Sequence, residues 1–285
     1  MPASFPARVG ARPLVTRFAP APTGYLHLGH VVNAIYVWGV AGAAVTADPV
    51  AAPPAESGRV LLRIEDHDRQ RSRPAFEAAI LEDLDWLGFV ADGPFVRQSE
   101  RGTLYESALD ELRNRGLVYA CDCSRAAIAA ARYPGACRDK RLREAPGFSL
   151  RVRLEPAVER FDDWRHGPQE QRPFDQCGDL LVRDREGNWT YQFAAVVDDW
   201  RQGVTLVIRG DDLLESTGRQ IQLARLLGRS EPPDFLHHPL IMKTATQKLS
   251  KSDNDTGVRD LRAKGWTASQ VIMRAEEFAG LGRSA

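Results

Sequence analysis

His27-x-Gly29-His30 sets two imidazoles around a glycine. An apolar, β-branched run from Leu14 to Phe18 precedes it, through a proline-rich link, and an apolar helix-like run from Val31 follows. A strand, a tight loop and a helix start present free backbone N–H groups to a phosphate. The histidines add donors, and Gly29 permits close approach of a ligand to the backbone. Far downstream, Lys248-Leu249-Ser250-Lys251-Ser252 brings ammonium groups. The chain has 38 basic residues, yet its lysines are only Lys140, Lys243, Lys248, Lys251 and Lys264, three of them between 243 and 251. A compact ammonium on a flexible stem can follow a moving phosphate, where a planar guanidinium is committed to one geometry. Alone, the histidines read as a buried pair and the lysines as a solvated loop. Together they predict one site that neutralises a triphosphate.

The elements that must position these groups follow from the hydrophobic pattern. Residues 14–19 and 60–64 read as buried strands of a parallel sheet, with a crossover helix from 29 to 42 between them. The stretch 48–58, rich in Pro, Ala and Ser, reads as a surface loop. Apolar residues at 76, 80, 84 and 87 have helical spacing, and 103–115 reads as a helix stopped by Gly116. Strand–helix alternation resumes at Leu180 to Val182, Phe193 to Val197 and Thr205 to Ile208, and a helix is expected over 213–227. The expected organisation is α/β: a Rossmann-like nucleotide-binding domain in two halves, 1–116 and 171–235, an insertion over 117–170, and a terminal segment, 236–285.

Composition sets outer bounds. A 285-residue chain with 43% hydrophobic residues can fill a core. No apolar run approaches the roughly 18 residues of a membrane span. Met1 to Arg12 lacks the apolar stretch of a secretory signal and reads as a short disordered lead. The formal net charge is zero, so a nucleic-acid partner needs a local basic face. Arg138, Lys140, Arg141 and Arg143 are one candidate, and the 243–251 lysines another.

The histidine and lysine elements together resemble the two signature motifs of class I aminoacyl-tRNA synthetases. Arg17-Phe18-Ala19-Pro20 and Arg63-Ile64-Glu65-Asp66 resemble the glutamyl branch. Tyr191-Gln192-Phe193-Ala194 to Asp198-Asp199, and Ile208 to Thr217, look most like its truncated paralogues, the glutamyl-queuosine tRNA(Asp) synthetases. The similarity runs from about residue 14 to 275. It implies a class I catalytic domain with an inserted zinc-binding α/β subdomain and a short helical C-terminal segment, without an anticodon-binding domain. The implied reaction is ATP-dependent activation of L-glutamate, with Mg2+, and transfer of the acyl group to the queuosine base of tRNA(Asp). A cytoplasmic, monomeric protein is expected. The alternatives are a fragment that charges the tRNA 3′ end and a non-catalytic RNA- or metabolite-binding paralogue.

The resemblance also implies roles. His27, His30, Lys248 and Lys251 would stabilise charge building on the phosphates. ATP would contact Pro20, Gly29, His30, Ile241, Met242 and Lys251, with His238 and Leu240 near the adenine and ribose. Arg17 and Arg209 would each form a fork with a carboxylate of glutamate, Arg17 at the side-chain end. Glu65 would take the ammonium, Tyr191 would close the pocket, and Ala19 and Ala21 would line it. Glutamyl families usually carry Ser where this chain has Ala21. The missing hydroxyl is worth about 1 kcal/mol of binding.

Cys121-x-Cys123 and Cys137 offer three soft ligands, and tetrahedral zinc needs a fourth. The resemblance supplies Tyr133; a water, His166 and Cys177 are the alternatives. Reduced, metal-free thiols are the other reading. Such a zinc site would be structural, since nothing near it in sequence reads as a general base.

Overall fold

The computed structural model describes residues 12–42, 58–124, 128, 132–241 and 257–281. The first half opens with β1 (Val15–Phe18), α1 (Leu28–Val40), β2 (Arg59–Ile64), α2 (Pro74–Leu87), β3 (Val96–Arg97) and α3 (Gly102–Asn114). Next come β4 (Val118–Cys121), β5 (Ser149–Val152), β6 (Glu159–Asp163), β7 (Gly167–Gln171), the short α4 (Pro173–Cys177) and β8 (Leu180–Arg183). Then follow α5 (Tyr191–Arg201), β9 (Leu206–Gly210), a 3-10 turn (Asp211–Ser216), α6 (Thr217–Leu226) and β10 (Asp234–His238). The last elements are α7 (Val258–Ala263) and α8 (Ala268–Phe278).

β1 pairs in parallel with β2, Val15 opposite Arg59 and Phe18 opposite Leu62, and β2 pairs in parallel with β3. β9 and β10 are parallel over five positions, and β6 joins β10 through Phe235 and Asp163 before turning back into β7. The Thr205 N–H donates to Val15 O at 2.8 Å and sets β9 alongside β1. Two sheets, β3-β2-β1 and β9-β10-β6-β7, therefore lie edge to edge with β1 beside β9. The chain departs from β1 toward one edge and from β9 toward the other. This divergence opens a crevice at the carboxyl ends of β1 and β9, where open α/β sheets bind ligands. α1 buries residues on nearly all sides, from Leu28 to Trp38, because the sheet covers one face and α8 another.

The apolar stretch 193–197 lies in a helix. A short fully apolar run carries no period that separates strand from helix, and α5 is buried over Phe193 to Asp199. The helix expected over 213–227 starts as the 3-10 turn and becomes α-helical at Thr217. The sheets also partition the chain differently from the stretch 117–170. β4, β5 and β8 form a separate antiparallel sheet, whereas β6 and β7 extend the parallel one. β8 is recruited from beyond residue 170, and its hydrophobic face packs with α3 and α5 in one core. The proline- and alanine-rich loop and the amino-terminal lead lie outside the described residues, apart from Arg12 and Gly58.

Gly178 closes the turn between α4 and β8 with φ 67° and ψ −154°. A Cβ there would stand 2.2 Å from the carbonyl oxygen of Tyr133. Backbone strain and a backbone clash coincide, so Gly178→Ala is expected to lower stability by about 2 kcal/mol or more. Urea unfolding of the two proteins measures it; equal midpoints would contradict the assignment.

Candidate functional site

At the start of α1 the two histidines cap the helix for each other. The Gly29 N–H donates to Nδ1 of His27 at 3.0 Å, and the His27 N–H donates to Nδ1 of His30 at 3.1 Å. The ring centroids are 4.0 Å apart. A ring that accepts at Nδ1 carries its proton on Nε2, so both imidazoles are fixed as neutral Nε2–H tautomers. The expectation of free helix-start amides changes accordingly. Gly29 N–H is bound by His27, and His30 N–H donates to His27 O at 2.8 Å. Gly29 is required by the cap itself, since a Cβ would lie 2.8 Å from Cε1 of His27.

Both histidines line a cavity of about 650 Å³ at the carboxyl ends of the central strands. Arg17 and Ala19 enter it from β1, Glu65 from the end of β2, Tyr191 from the start of α5, and Arg209 from β9. His238 to Ile241 complete the wall after β10. Pro20 and Ala21 are not among the lining residues. The carbonyl of Pro20 instead holds the Glu65 N–H at 3.0 Å.

The charged side chains of the cavity are held from behind. Arg17 donates through Nε to Asp199 at 2.9 Å and through Nη1 to Ile208 O at 3.2 Å. Arg63, fully buried, donates to the same Asp199 oxygen at 2.7 Å and to Glu65 at 3.3 Å. Burial would raise the Asp199 carboxyl, but the guanidinium groups of Arg17 and Arg63 outweigh it and hold it at about 2. Burial pushes the Glu65 carboxyl up, against the pull of Arg63, His67 and Arg17. Arg209 donates to Gln220, Thr217 and His237, at 2.6, 2.9 and 2.9 Å, all uncharged acceptors. The cavity thus presents two buried guanidinium groups and one buried carboxylate, Glu65, with the exposed Asp212 also on its lining. That set complements a small molecule with two anionic groups and one cationic group.

No motif marks Asp163 and His237 as site residues, and the family segments that contain Arg63 and Asp199 assign those two no role. The available signal was charge inside buried runs: Arg63 within Val60 to Ile64, the Asp198-Asp199 pair after Phe193 to Val197, and two histidines ending β10.

Lys248, Lys251 and Met242 lie outside the described residues. Their described flanks both reach the cavity. Ile241 lines it, and Gly257 pairs with His27 in an antiparallel bridge, with the Val258 N–H donating to Leu26 O at 2.9 Å. His238 stacks on Tyr36 with ring centroids 4.9 Å apart and bonds through Nδ1 to Pro239 O at 2.9 Å. Burial pushes its pKa down, and its buried Nε2 has no hydrogen-bond partner among the described residues.

A second cavity, of about 970 Å³, lies on the other side of Tyr191, which lines both. Its walls carry His67, Asp68 and Arg71 after β2, and Asp184, Arg185 and Trp189 after β8. Cys123 and Arg151 line it where the cysteine cluster begins.

The Sγ atoms of Cys121, Cys123 and Cys137 lie within 4.8 Å of one another, a group that can hold a metal ion. The Tyr133 hydroxyl joins them, 3.4 Å from the Cys121 sulfur, and accepts the Cys137 N–H at 2.9 Å. The Arg151 guanidinium lies 3.7 Å from the centre of the Tyr133 ring. Burial pushes the Cys123 thiol up to about 11, with Cys137 adding to the rise. Burial also raises Cys121, but hydrogen bonds from Tyr133, the Cys123 amide and Arg151 bring it down to about 7. So many soft donors converging in one buried place suits a cation that draws them together. The other suggested fourth ligands are engaged elsewhere. His166 Nε2 meets Asp211 at 2.7 Å, and the Cys177 sulfur contacts Pro173 O and Gly178 O.

Comparison with known proteins bears on this geometry. The family model described as tRNA synthetases class I (E and Q), catalytic domain, matches residues 13–276. A glutamyl-Q tRNA(Asp) synthetase of Rhodobacter capsulatus is 41% identical over 286 residues, 90% of this chain and 98% of that one. One from Pseudomonas aeruginosa is 43% identical over 242 residues, 84% of this chain and 77% of its own. Among solved structures, a glutamate tRNA ligase from Elizabethkingia meningosepticum in complex with its amino acid superposes with a TM-score of 0.71 at 28% identity. That match covers 86% of this chain and 53% of the ligase, so this chain spans about half of its length.

Removing the shared carboxylate tests the buried network. Asp199→Asn leaves Arg17 and Arg63 as two buried cations and is expected to cost about 3 kcal/mol in urea unfolding. Because the folded-state pKa is depressed to about 2, Asp199 contributes stability that is present above its unfolded value of about 3.9. That contribution fades as the pH falls towards 2. The variant should lose this share of the acid dependence; an unchanged profile would show that the network does not depend on the charge.

Proposed function

Because the chain belongs to the class I (E and Q) tRNA synthetases, we propose that it joins L-glutamate to ATP as glutamyl-adenylate, releasing pyrophosphate, and then passes the glutamyl group to tRNA. The observation that carries the reading is the convergence in one cavity of the histidine cap, Arg17, Arg209 and Glu65. Two guanidinium groups answer the two carboxylates of glutamate, Arg17 at the side-chain end and Arg209, with Tyr191, at the α-carboxylate. Glu65 answers the ammonium. Ala19 forms part of the wall, and Ala21 belongs to the reading by resemblance alone, since it does not line the cavity.

In the first step an α-carboxylate oxygen attacks the α-phosphorus and pyrophosphate leaves. Such a transfer needs positioning and charge neutralisation more than covalent help. The Nε2–H groups of His27 and His30 supply donors, and Lys248 and Lys251 supply cations. Magnesium accompanies ATP. The adenine would lie along Gly29 and His238 to Ile241, where the Nε2 of His238, without a hydrogen-bond partner among the described residues, can accept from its amino group; Pro20 and Met242 join the ATP site by resemblance alone. In the second step a hydroxyl oxygen of the acceptor attacks the acyl carbon, its proton is lost, and AMP leaves.

The acceptor in this reading is the queuosine base in the anticodon of tRNA(Asp). Support comes from the names of relatives that match nearly end to end. In this reading an acceptor nucleoside would approach the acyl carbon through the second cavity, past Tyr191, which lines both cavities. Cys121, Cys123, Tyr133 and Cys137 would hold one structural zinc, which would tie these side chains together beside the second cavity and supply no chemistry to acyl transfer. Cytoplasmic location and a monomeric state belong to the same proposal.

Glutamate transfer to tRNA(Asp) with and without queuosine, followed by mapping of the acylated nucleotide, tests the acceptor. Transfer should require queuosine; attachment at the 3′ adenosine would assign the chain to ordinary charging. Lys251→Ala should slow adenylate formation about 100-fold, the usual effect of losing one transition-state donor. Elemental analysis should find one zinc per chain, lost in Cys137→Ser; a metal-free, fully active protein would remove the zinc assignment.

A further inference from the structure

The two guanidinium groups of the first cavity are held in different ways. Arg17 rests directly on a carboxylate, which it shares with Arg63. Arg209 does not. Its Nε donates to Nε2 of His237 at 2.9 Å, and Nδ1 of His237 lies 2.7 Å from Oδ2 of Asp163. Arginine cannot accept, so Nε2 of His237 is the lone-pair side and its proton sits on Nδ1. That proton donates to Asp163. Both side chains of this pair are wholly buried. Asp163 is also anchored: its Oδ1 accepts the Arg165 and His166 N–H groups at 3.0 and 2.9 Å, and its Oδ2 accepts the His237 N–H at 3.1 Å.

We propose that Asp163 and His237 are positioning residues for Arg209. They fix the tautomer that accepts from its Nε while keeping the nearest carboxylate of this arm one imidazole away. A carboxylate bonded directly to Arg209 would neutralise the charge that a substrate carboxylate must meet, and would compete with it. A neutral imidazole orients the fork without competing. Thr217 and Gln220 do the same from α6, so the guanidinium keeps its full charge for the cavity. A carboxylate that fixes the ring through its far nitrogen is the arrangement by which imidazole ligands are oriented in other sites. Here the oriented partner is a guanidinium.

The inference rests on the reading of Arg209 as the anchor for the α-carboxylate of glutamate. Its test compares His237→Asn with His237→Gln in glutamate-dependent ATP–pyrophosphate exchange, with tRNA(Asp) present. The Asn amide reaches about where Nδ1 stood and keeps the link to Asp163. The Gln amide reaches about where Nε2 stood and keeps an acceptor for Arg209. His237→Asn should raise the KM for glutamate about 10-fold or more, with the KM for ATP unchanged and kcat within about 3-fold. His237→Gln should recover most of that loss. The opposite ranking, or equal glutamate KM in both variants and the parent, overturns the proposal and leaves the pair a structural tie between β6 and β10. Asp163→Asn adds a second arm without touching Arg209. The turn amides retain its oxygen, its Nδ2 faces the imidazole, and the ring must carry its proton toward Arg209. It should also raise the glutamate KM selectively; a fall in kcat alone counts against the proposal. A parent protein with no glutamate-dependent exchange would defeat the functional reading instead, before either variant is compared.

Discussion

One carboxylate, Asp199, organises the central crevice. It receives Arg17 from β1 and Arg63 from β2 while sitting on α5, so a single buried acid fastens two neighbouring strands to the helix behind them. Arg63 then reaches Glu65 and lies near Asp198, which takes further bonds from Gln98, Arg101 and Tyr105. Buried charges of this density survive only when each is paired and hydrogen-bonded. The arrangement fixes the directions of Arg17 and Glu65 before any ligand arrives. That preorganisation separates an oriented set of charges from a polar hole.

The sequence conveyed the frame well and the supports poorly. β1, β2 and α1 fall within a residue or two of the segments read from hydrophobic runs, because strands buried on both faces show as near-continuous apolar stretches. Phe193 to Val197 was ambiguous for the same reason. The lining residues Arg17, Glu65, Tyr191 and Arg209 were legible through family motifs. Their partners were not. Asp163 and His237 are far apart in sequence and meet only because β6 lies beside β10, a pairing that no local pattern announces.

The cysteine-bearing region shows how topology overrides segmentation. An insertion is easily imagined as a bead threaded between two halves. Here β8 closes the antiparallel sheet, and the chain then runs directly into α5, whose first residue separates the two cavities. Tyr133 connects the same parts from the other side, its N–H donating to Cys177 O just before the Gly178 turn. The cysteine cluster and the mouth of the crevice are thus joined through β8 and the chain that leads from it to Tyr191.

The reciprocal cap of His27 and His30 carries a consequence for how that end of the crevice handles charge. Each ring must stay deprotonated at Nδ1 to satisfy a backbone amide. Becoming imidazolium would therefore cost the start of α1 one cap hydrogen bond per ring. Held in this cap, the pair presents oriented dipoles rather than free cations. Evolution could exchange either ring for a longer basic side chain only by surrendering the helix terminus that aims them both.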